Sequence, residues 1–198
     1  AVMHDHRAAW GAFFDEMTAG YGASTQGRGD DTFRRLDLGY DEVPPGVARN
    51  LEEALSKVEP VCRTQIIKLF WDSLGICYFG TMGVPSSVRF TTTSLAQATG
   101  WEDFDAEEAF TVGARISTML RLVYVRRGFE RSDEFDVSPK LLKNTHVGPA
   151  KEEGIEPYLP AMVDEYYRLQ GWDVDTGAPT PETLKRLGME EFIEDVAA

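Results

Sequence analysis

The run VCRTQIIKLFWDSLGICYF, residues 61–79, dictates most of what the rest of the chain must do. Val61, Gln65, Ile66, Leu69, Phe70, Leu74 and Cys77 fall on one side at helical spacing, and apolar residues cover most of the remaining circumference. A helix that is apolar nearly all round belongs inside a protein, with other elements packed around it. Pro60 suits the first turn of such a helix. The flanking sequence supplies further helices. Trp10, Phe13, Phe14 and Met17 stand at i, i+3, i+4 and i+7. Leu51, Leu55 and Val58 mark a helix ending near Pro60. Asp105 and Glu108 form a capping-box-like pair ahead of a helix that turns Ile116, Leu120 and Val123 inward and stops at Gly128. Ser138-Pro139 opens a short helix. Residues 157–170 read as a helix stopped by Gly171, and Thr180-Pro181 as one stopped by Gly188. SLAQATG is a short helix ahead of Gly100, while the β-branched content of MGVPSSVRFTTTS suggests one short extended segment near 87–93. The expected fold is all-α, an irregular multi-helix domain spanning residues 1–198 with no internal repeat or linker.

Charge narrows the function classes. Lys and Arg number 20 against 33 Asp and Glu, a formal charge of −13. Such a surface repels phosphate backbones and anionic lipid, so neither nucleic acid nor membrane is an expected partner. No apolar run approaches the roughly 20 residues of a membrane span. The start, AVMHDHRAAW, has no basic-then-apolar leader and no initiator Met. It reads as a chain already under way, so the sequence is expected to be a domain cut from a longer protein. Two cysteines, Cys62 and Cys77, make no disulfide framework, and a reducing cytoplasm is the expected compartment. On one helix they would stand about 22 Å apart, too far to bridge.

The residues that carry chemistry are few. His4 and His6 flank Asp5, but no third ligand stands at zinc-like spacing, and an ordinary surface or loop segment is the simpler reading. His146 sits in the loop THVGPAK, also as a structural residue. The glycine-rich GYGASTQGRGDD is not placed in a βαβ unit, so a dinucleotide fingerprint is disfavoured. Asp30 and Asp31 oppose a phosphate there unless Arg28, Arg34 or Arg35 offsets them. In MVDEYYRLQGWD, Asp164 and Glu165 read as a solvated face, with Tyr166 and Tyr167 on the core edge.

DSLGIC, residues 72–77, is less bland. A buried Asp72 needs hydrogen-bond partners. Gly75 inside a helix costs about 0.8–1 kcal/mol against Ala. A core thiol and one edge of a site are equally compatible with these residues.

This hexamer resembles the D-x-x-G-L-C motif of the tungstopterin aldehyde:ferredoxin oxidoreductases, with Ile76 in place of Leu. ATGWEDFDAEEAFTVGARISTMLRLVYVRRGFERSDE is similar to that family's A-T-G-W, G-x-R-I and R-x-G-F stretch. GPAKEEG, VDEYYRLQGWD and TGAPTPETLKRLGM resemble its closing segments, and MHDHRA and YGASTQGRGDD its opening turn and loop. The likeness covers nearly the whole chain, in order. It implies the helical third domain of a three-domain enzyme that oxidises aldehydes to carboxylic acids with ferredoxin as electron acceptor. The implied cofactors are a tungsten- or molybdenum-bis-pterin and a [4Fe–4S] cluster, both requiring missing N-terminal domains, which supply three cysteines. Cys77 is then the fourth iron ligand and Asp72 a hydrogen-bond acceptor for the pterin, with Ser73, Leu74, Gly75 and Ile76 completing the cofactor-binding segment. The implied partners are the N-terminal domains of the parent chain, ferredoxin or another electron-transfer subunit, and a small carbonyl substrate.

One departure stands out. The family's catalytic histidine follows its Y-A-T-S-x-R-G loop, whereas Asp31 or Thr32 occupies that place here, and no histidine occurs between His6 and His146. Asp31, with Thr32 beside it, is the candidate proton relay. The change also suits a benzoyl-CoA-reductase-like catalytic subunit of the same superfamily. A third reading is a cofactor-free interaction module. The isolated chain is expected to be inactive, and to expose an apolar face around Leu74, Ile76 and Phe79 where the missing domains dock.

Overall fold

A sixteen-residue helix, Val58–Ser73, runs through the middle of the molecule and is buried on most of its faces, from Val58, Val61 and Cys62 to Ile67, Phe70 and Trp71. The computed structural model describes residues 5–19, 38–40, 43–81, 83–143, 145–148, 150–151 and 153–196. In chain order the helices are α1 (Trp10–Thr18), α2 (Leu51–Leu55), α3 (Val58–Ser73), α4 (Tyr78–Thr81), α5 (Ser87–Thr99), α6 (Ala106–Arg126), α7 (Pro139–Leu142), α8 (Leu159–Gln170), α9 (Pro181–Arg186) and α10 (Ile193–Val196). Short 3-10 turns cover Arg131–Phe135 and Glu190–Phe192. Among the described residues the only β pairing is two isolated bridges, Thr145 with Lys151 and Trp172 with Pro179. The fold is all-α, and no described helix is long and apolar enough to cross a membrane.

The central helix joins two cores. On one side α1 and α8 pack on it, bringing Trp10, Phe13, Phe14, Met162, Tyr166 and Trp172 together with Val58, Val61 and Cys62. Burying such side chains stabilises the fold by about 1.5–3 kcal/mol each. On the other side Ile67, Phe70 and Trp71 meet Val88 of α5, Ala109 of α6, and Phe104 and Tyr78. The closest crossing is between α3 and α6. A Cβ placed on Gly113 would lie 2.1 Å from the carbonyl oxygen of Ile66, so only glycine lets these two backbones approach.

At Asp105 and Thr180 the caps place the helix starts as the sequence indicates, accepting from the backbone N–H groups of Glu108 and Thr183, and Asn50, which sequence reasoning did not single out, accepts from that of Glu53. Gly128 and Gly171 take left-handed conformations past α6 and α8. Three expectations are corrected. Residues 87–93 are not extended, for α5 runs unbroken through them. Thr91 donates to the carbonyl of Ser87, and Thr92 to that of Arg89, so the hydroxyls are satisfied within the helix. Val88, Thr91 and Thr92 share a buried side, and that packing overrides β propensity. The inward side of α6 is Ala109, Gly113, Ser117, Thr118, Arg121 and Leu122, while Val123 is 38% exposed. Ile116 and Leu120 are only partly buried. Tyr166 and Tyr167 sit in the core itself rather than on its edge.

The buried Arg121, 1% exposed, ties four segments together. Its Nε donates to the carbonyl of Gly177 at 2.7 Å, its guanidinium pairs with Glu134 at 2.9 Å, and it donates to the Tyr167 hydroxyl at 2.6 Å. The rings of Phe129, Tyr167 and Trp172 surround it with centroids at 4.6–4.9 Å.

Candidate functional site

The hexamer DSLGIC lies where α3 ends, and its conformation follows from how that helix stops. The amide of Gly75 donates to the carbonyl of Asp72 at 3.0 Å, and the amide of Ile76 to that of Trp71 at 2.9 Å. This pair of bonds is the Schellman arrangement, which requires a left-handed residue at its turn. Gly75 supplies it, with φ of +71°. The helix therefore does not continue to Phe79. Gly75 lies outside it and carries no helix-interior cost, which corrects the expectation drawn from the sequence.

The second expected cost is also absent. Asp72 is exposed rather than buried, and Lys68 one turn earlier reaches its Oδ2 at 2.5 Å. The Lys68 stem is largely covered, so the ammonium is held in place and fixes the carboxylate. Sequence reasoning missed Lys68, although the i, i+4 spacing of a cation and an acid was a readable signal.

Beyond the turn, Ile76 packs back on the Trp71–Tyr78 core, while Cys77 points outward as a free, exposed thiol. Ser73 and Gly75 are exposed, Leu74 is 38% and Phe79 43% exposed, so the segment forms an open, partly apolar ledge. Among the described residues, nothing beyond its chain neighbours lies within 4 Å of a Cβ built on Gly75. A flat group could lie against the backbone there. Beneath the ledge, the Trp71 indole donates to Thr91 at 3.0 Å and anchors the end of α3 to α5.

The two thiols are opposites. Cys62 is buried between α3 and its neighbours, and desolvation pushes its thiol up to about 12. A thiol reagent at neutral pH is expected to modify Cys77 alone in the native chain and both cysteines in denaturant. Rapid reaction at two sites without denaturant contradicts this packing.

The remaining candidates do not gather here. Asp31 and Thr32 lie outside the described residues, as do the glycine-rich loop and His4. His6 is buried near α1, with Nε2 3.4 Å from Glu16. Asp164 pairs with Arg131 and Glu165 with Arg168, as befits a solvated face. Among the described residues no three His, Cys, Asp or Glu side chains converge to hold a metal ion. The ledge thus offers one thiol and one carboxylate, and any larger centre built on it needs ligands from elsewhere.

Comparison with known families agrees with the motifs. The model of the family described as aldehyde ferredoxin oxidoreductase, domains 2 and 3, matches residues 1–189. A match over nearly the whole length, on a helical framework that presents DSLGIC at an open helix end, means that the chain belongs to the aldehyde ferredoxin oxidoreductase family.

Proposed function

We propose that this chain is the helical part of a tungsten- or molybdenum-pterin, [4Fe–4S]-dependent oxidoreductase that oxidises aldehydes to carboxylic acids and passes the electrons to ferredoxin. The observation that carries the reading is the Asp72–Cys77 ledge, where a thiol and an acid stand on the surface with their own domain behind them. These residues fit the two groups. The Cys77 thiolate suits a cluster ligand, because it is accessible and the other three ligands can approach it from outside. The Asp72 carboxylate, steadied by Lys68, suits a row of pterin N–H donors. The open space over Gly75 lets such a ring come close to the backbone. When bound, the pair supplies two-electron exchange with substrate and single-electron transfer outward. The chain's own contribution is to orient the ring, hold one corner of the cluster and keep Leu74 and Phe79 as an apolar seat for the N-terminal domains. Asp31, or Thr32 beside it, is the proposed acid–base group. A reducing compartment, the cytoplasm, is the proposed location, and two free cysteines are compatible with it.

The missing histidine favours a second substrate class, aryl-CoA esters, for the same cofactors. One set of experiments addresses both readings. The parent enzyme, purified without oxygen, is expected to hold one tungsten or molybdenum and about four iron atoms per chain. Cys77→Ser is expected to lose most of the cluster's electron paramagnetic resonance signal, and Asp72→Asn to lower pterin content while leaving iron in place. Turnover of aldehydes against aryl-CoA esters then decides the substrate. A wild-type enzyme free of all three metals sinks the proposal.

A further inference from the structure

On the flank of the central helix, away from DSLGIC, lies a cavity of about 350 Å³ whose walls come from α3, α5, α6 and Leu38. That is within the roughly 300–1,000 Å³ of small-ligand sites. Its polar groups are two arginines, Arg63 and Arg89, with Ser86, and its apolar wall is Leu38, Val88 and Phe110. Among the described residues no acidic side chain lines it. Acids outnumber bases 33 to 20 in the chain, yet the described lining carries two cations and no acid. Among the described residues neither Arg63 nor Arg89 makes an ion pair, which they share with Arg49, Arg127 and Arg186, so both guanidinium groups remain available to a ligand.

The geometry points to a site for the phosphoryl group of a small organic phosphate, and we propose that the cavity binds one. The Arg63 guanidinium carbon sits over the Phe110 ring, 4.2 Å from its centroid. Such a cation–ring contact holds the guanidinium in place while its N–H donors remain available for phosphate. Arg89 stands on α5, two residues inside the start of that helix. The first turn of α5 carries no acidic residue, and its N-cap Ser86 makes no side-chain capping bond, so the positive end of the helix adds to the two arginines. Leu38, Val88 and Phe110 accommodate the organic body.

A neighbouring cavity of about 230 Å³ shares Arg63 and Phe110 but contains Glu59, which accepts a hydrogen bond from the Tyr40 hydroxyl at 3.0 Å. That carboxylate repels an anion and confines it to the Arg89 side. Nine residues of helix put Arg63 about 14 Å along the axis from Asp72, so this site is separate from the ledge.

Titration calorimetry of the 198-residue chain with phenyl phosphate, in low salt, tests the assignment. One molecule is expected to bind per chain. Arg89→Gln, at an exposed position, is expected to weaken binding at least about fivefold, and Arg63→Gln with Arg89→Gln to abolish it. Arg127→Gln, which removes an exposed arginine outside the cavity, should change nothing. Circular dichroism melting of Arg89→Gln equal to wild type keeps the comparison valid even where loss of the Arg63–Phe110 contact weakens the double variant. Absence of binding at millimolar ligand, or Arg89→Gln binding as tightly as wild type, overturns the site. Tighter binding of benzoate than of phenyl phosphate overturns the phosphoryl assignment.

Discussion

Arg121→Met is expected to destabilise the chain by about 3–5 kcal/mol, the cost of leaving one partner of a buried ion pair alone. For a chain of this size that lowers the melting temperature by roughly 6–20 °C. The loss is not the guanidinium's attraction as such. It is the stranding of the groups around it: the Glu134 carboxylate, the carbonyl of Gly177 and the Tyr167 hydroxyl, all turned toward Arg121. Removing both charges with Arg121→Met and Glu134→Leu is expected to recover at least half of the loss, since an apolar pair strands less. The pH dependence has a definite sign. Burial already pushes the Glu134 carboxyl above its ordinary value, with Arg121 pulling it back. Without Arg121 the folded-state value rises further. An acid whose folded value is raised is stabilising below its unfolded value, and that contribution is lost as pH rises through the folded value. The deficit of Arg121→Met should therefore be smallest in acid and grow toward neutral pH. A deficit that is flat with pH, or below about 1 kcal/mol, removes Arg121 from its central place.

Gly113→Ala is the second large effect. In a helix interior alanine normally gains about 0.8–1 kcal/mol over glycine. Here the added carbon would stand 2.1 Å from the Ile66 carbonyl oxygen and 2.9 Å from the carbon that bears it. These are backbone atoms of α3, so the whole helix must move. Overpacking costs about 1–3 kcal/mol and wins against the propensity gain. Denaturant titration is expected to show net destabilisation for Gly113→Ala and a still larger loss for Gly113→Val. Gly80→Ala is the control, because among the described residues nothing beyond its chain neighbours lies within 4 Å of that added carbon. If the two alanine variants behave alike, α3 and α6 do not cross as closely as described.

How far the sequence could be read depends on the kind of interaction that decides each element. Local chemistry was legible. Asp105, Thr180, Gly128 and Gly171 mark helix ends by capping and by left-handed turns, which need no knowledge of neighbours. The core face of α1 followed from spacing alone. Elements decided by neighbours were not legible. The end of α3 was hidden because Ile76 and Tyr78 are as apolar as the helix before them, and both fold back onto its core. Thr91 and Thr92 of α5 suggest a strand, yet their hydroxyls donate to carbonyls of the preceding turn. Arg121 looked like any charged residue on a long helix. Its burial depends on Glu134, Tyr167 and Gly177, which lie 13, 46 and 56 residues away in sequence. At the site, the motif alone marks the hexamer, because neither a buried acid nor a helix-interior glycine occurs there. Asp72 is solvent-exposed and Gly75 is a stop, so the segment is set apart by its openness and not by stored cost.

The Arg121 cage also governs how the molecule breathes. Because one side chain bonds α6, the Arg131–Phe135 turn, α8 and the loop at Gly177, none of these can open alone without stranding the others. They form a single cooperative unit whose amides share one opening free energy. The Tyr78–Thr81 turn stands outside that unit, with Phe79 and Gly80 in solvent. Slow hydrogen exchange thus belongs to the C-terminal half, and fast exchange to the ledge that carries Cys77. Among the described residues, this exposed turn is a part of the chain that would gain protection from a surface covering it.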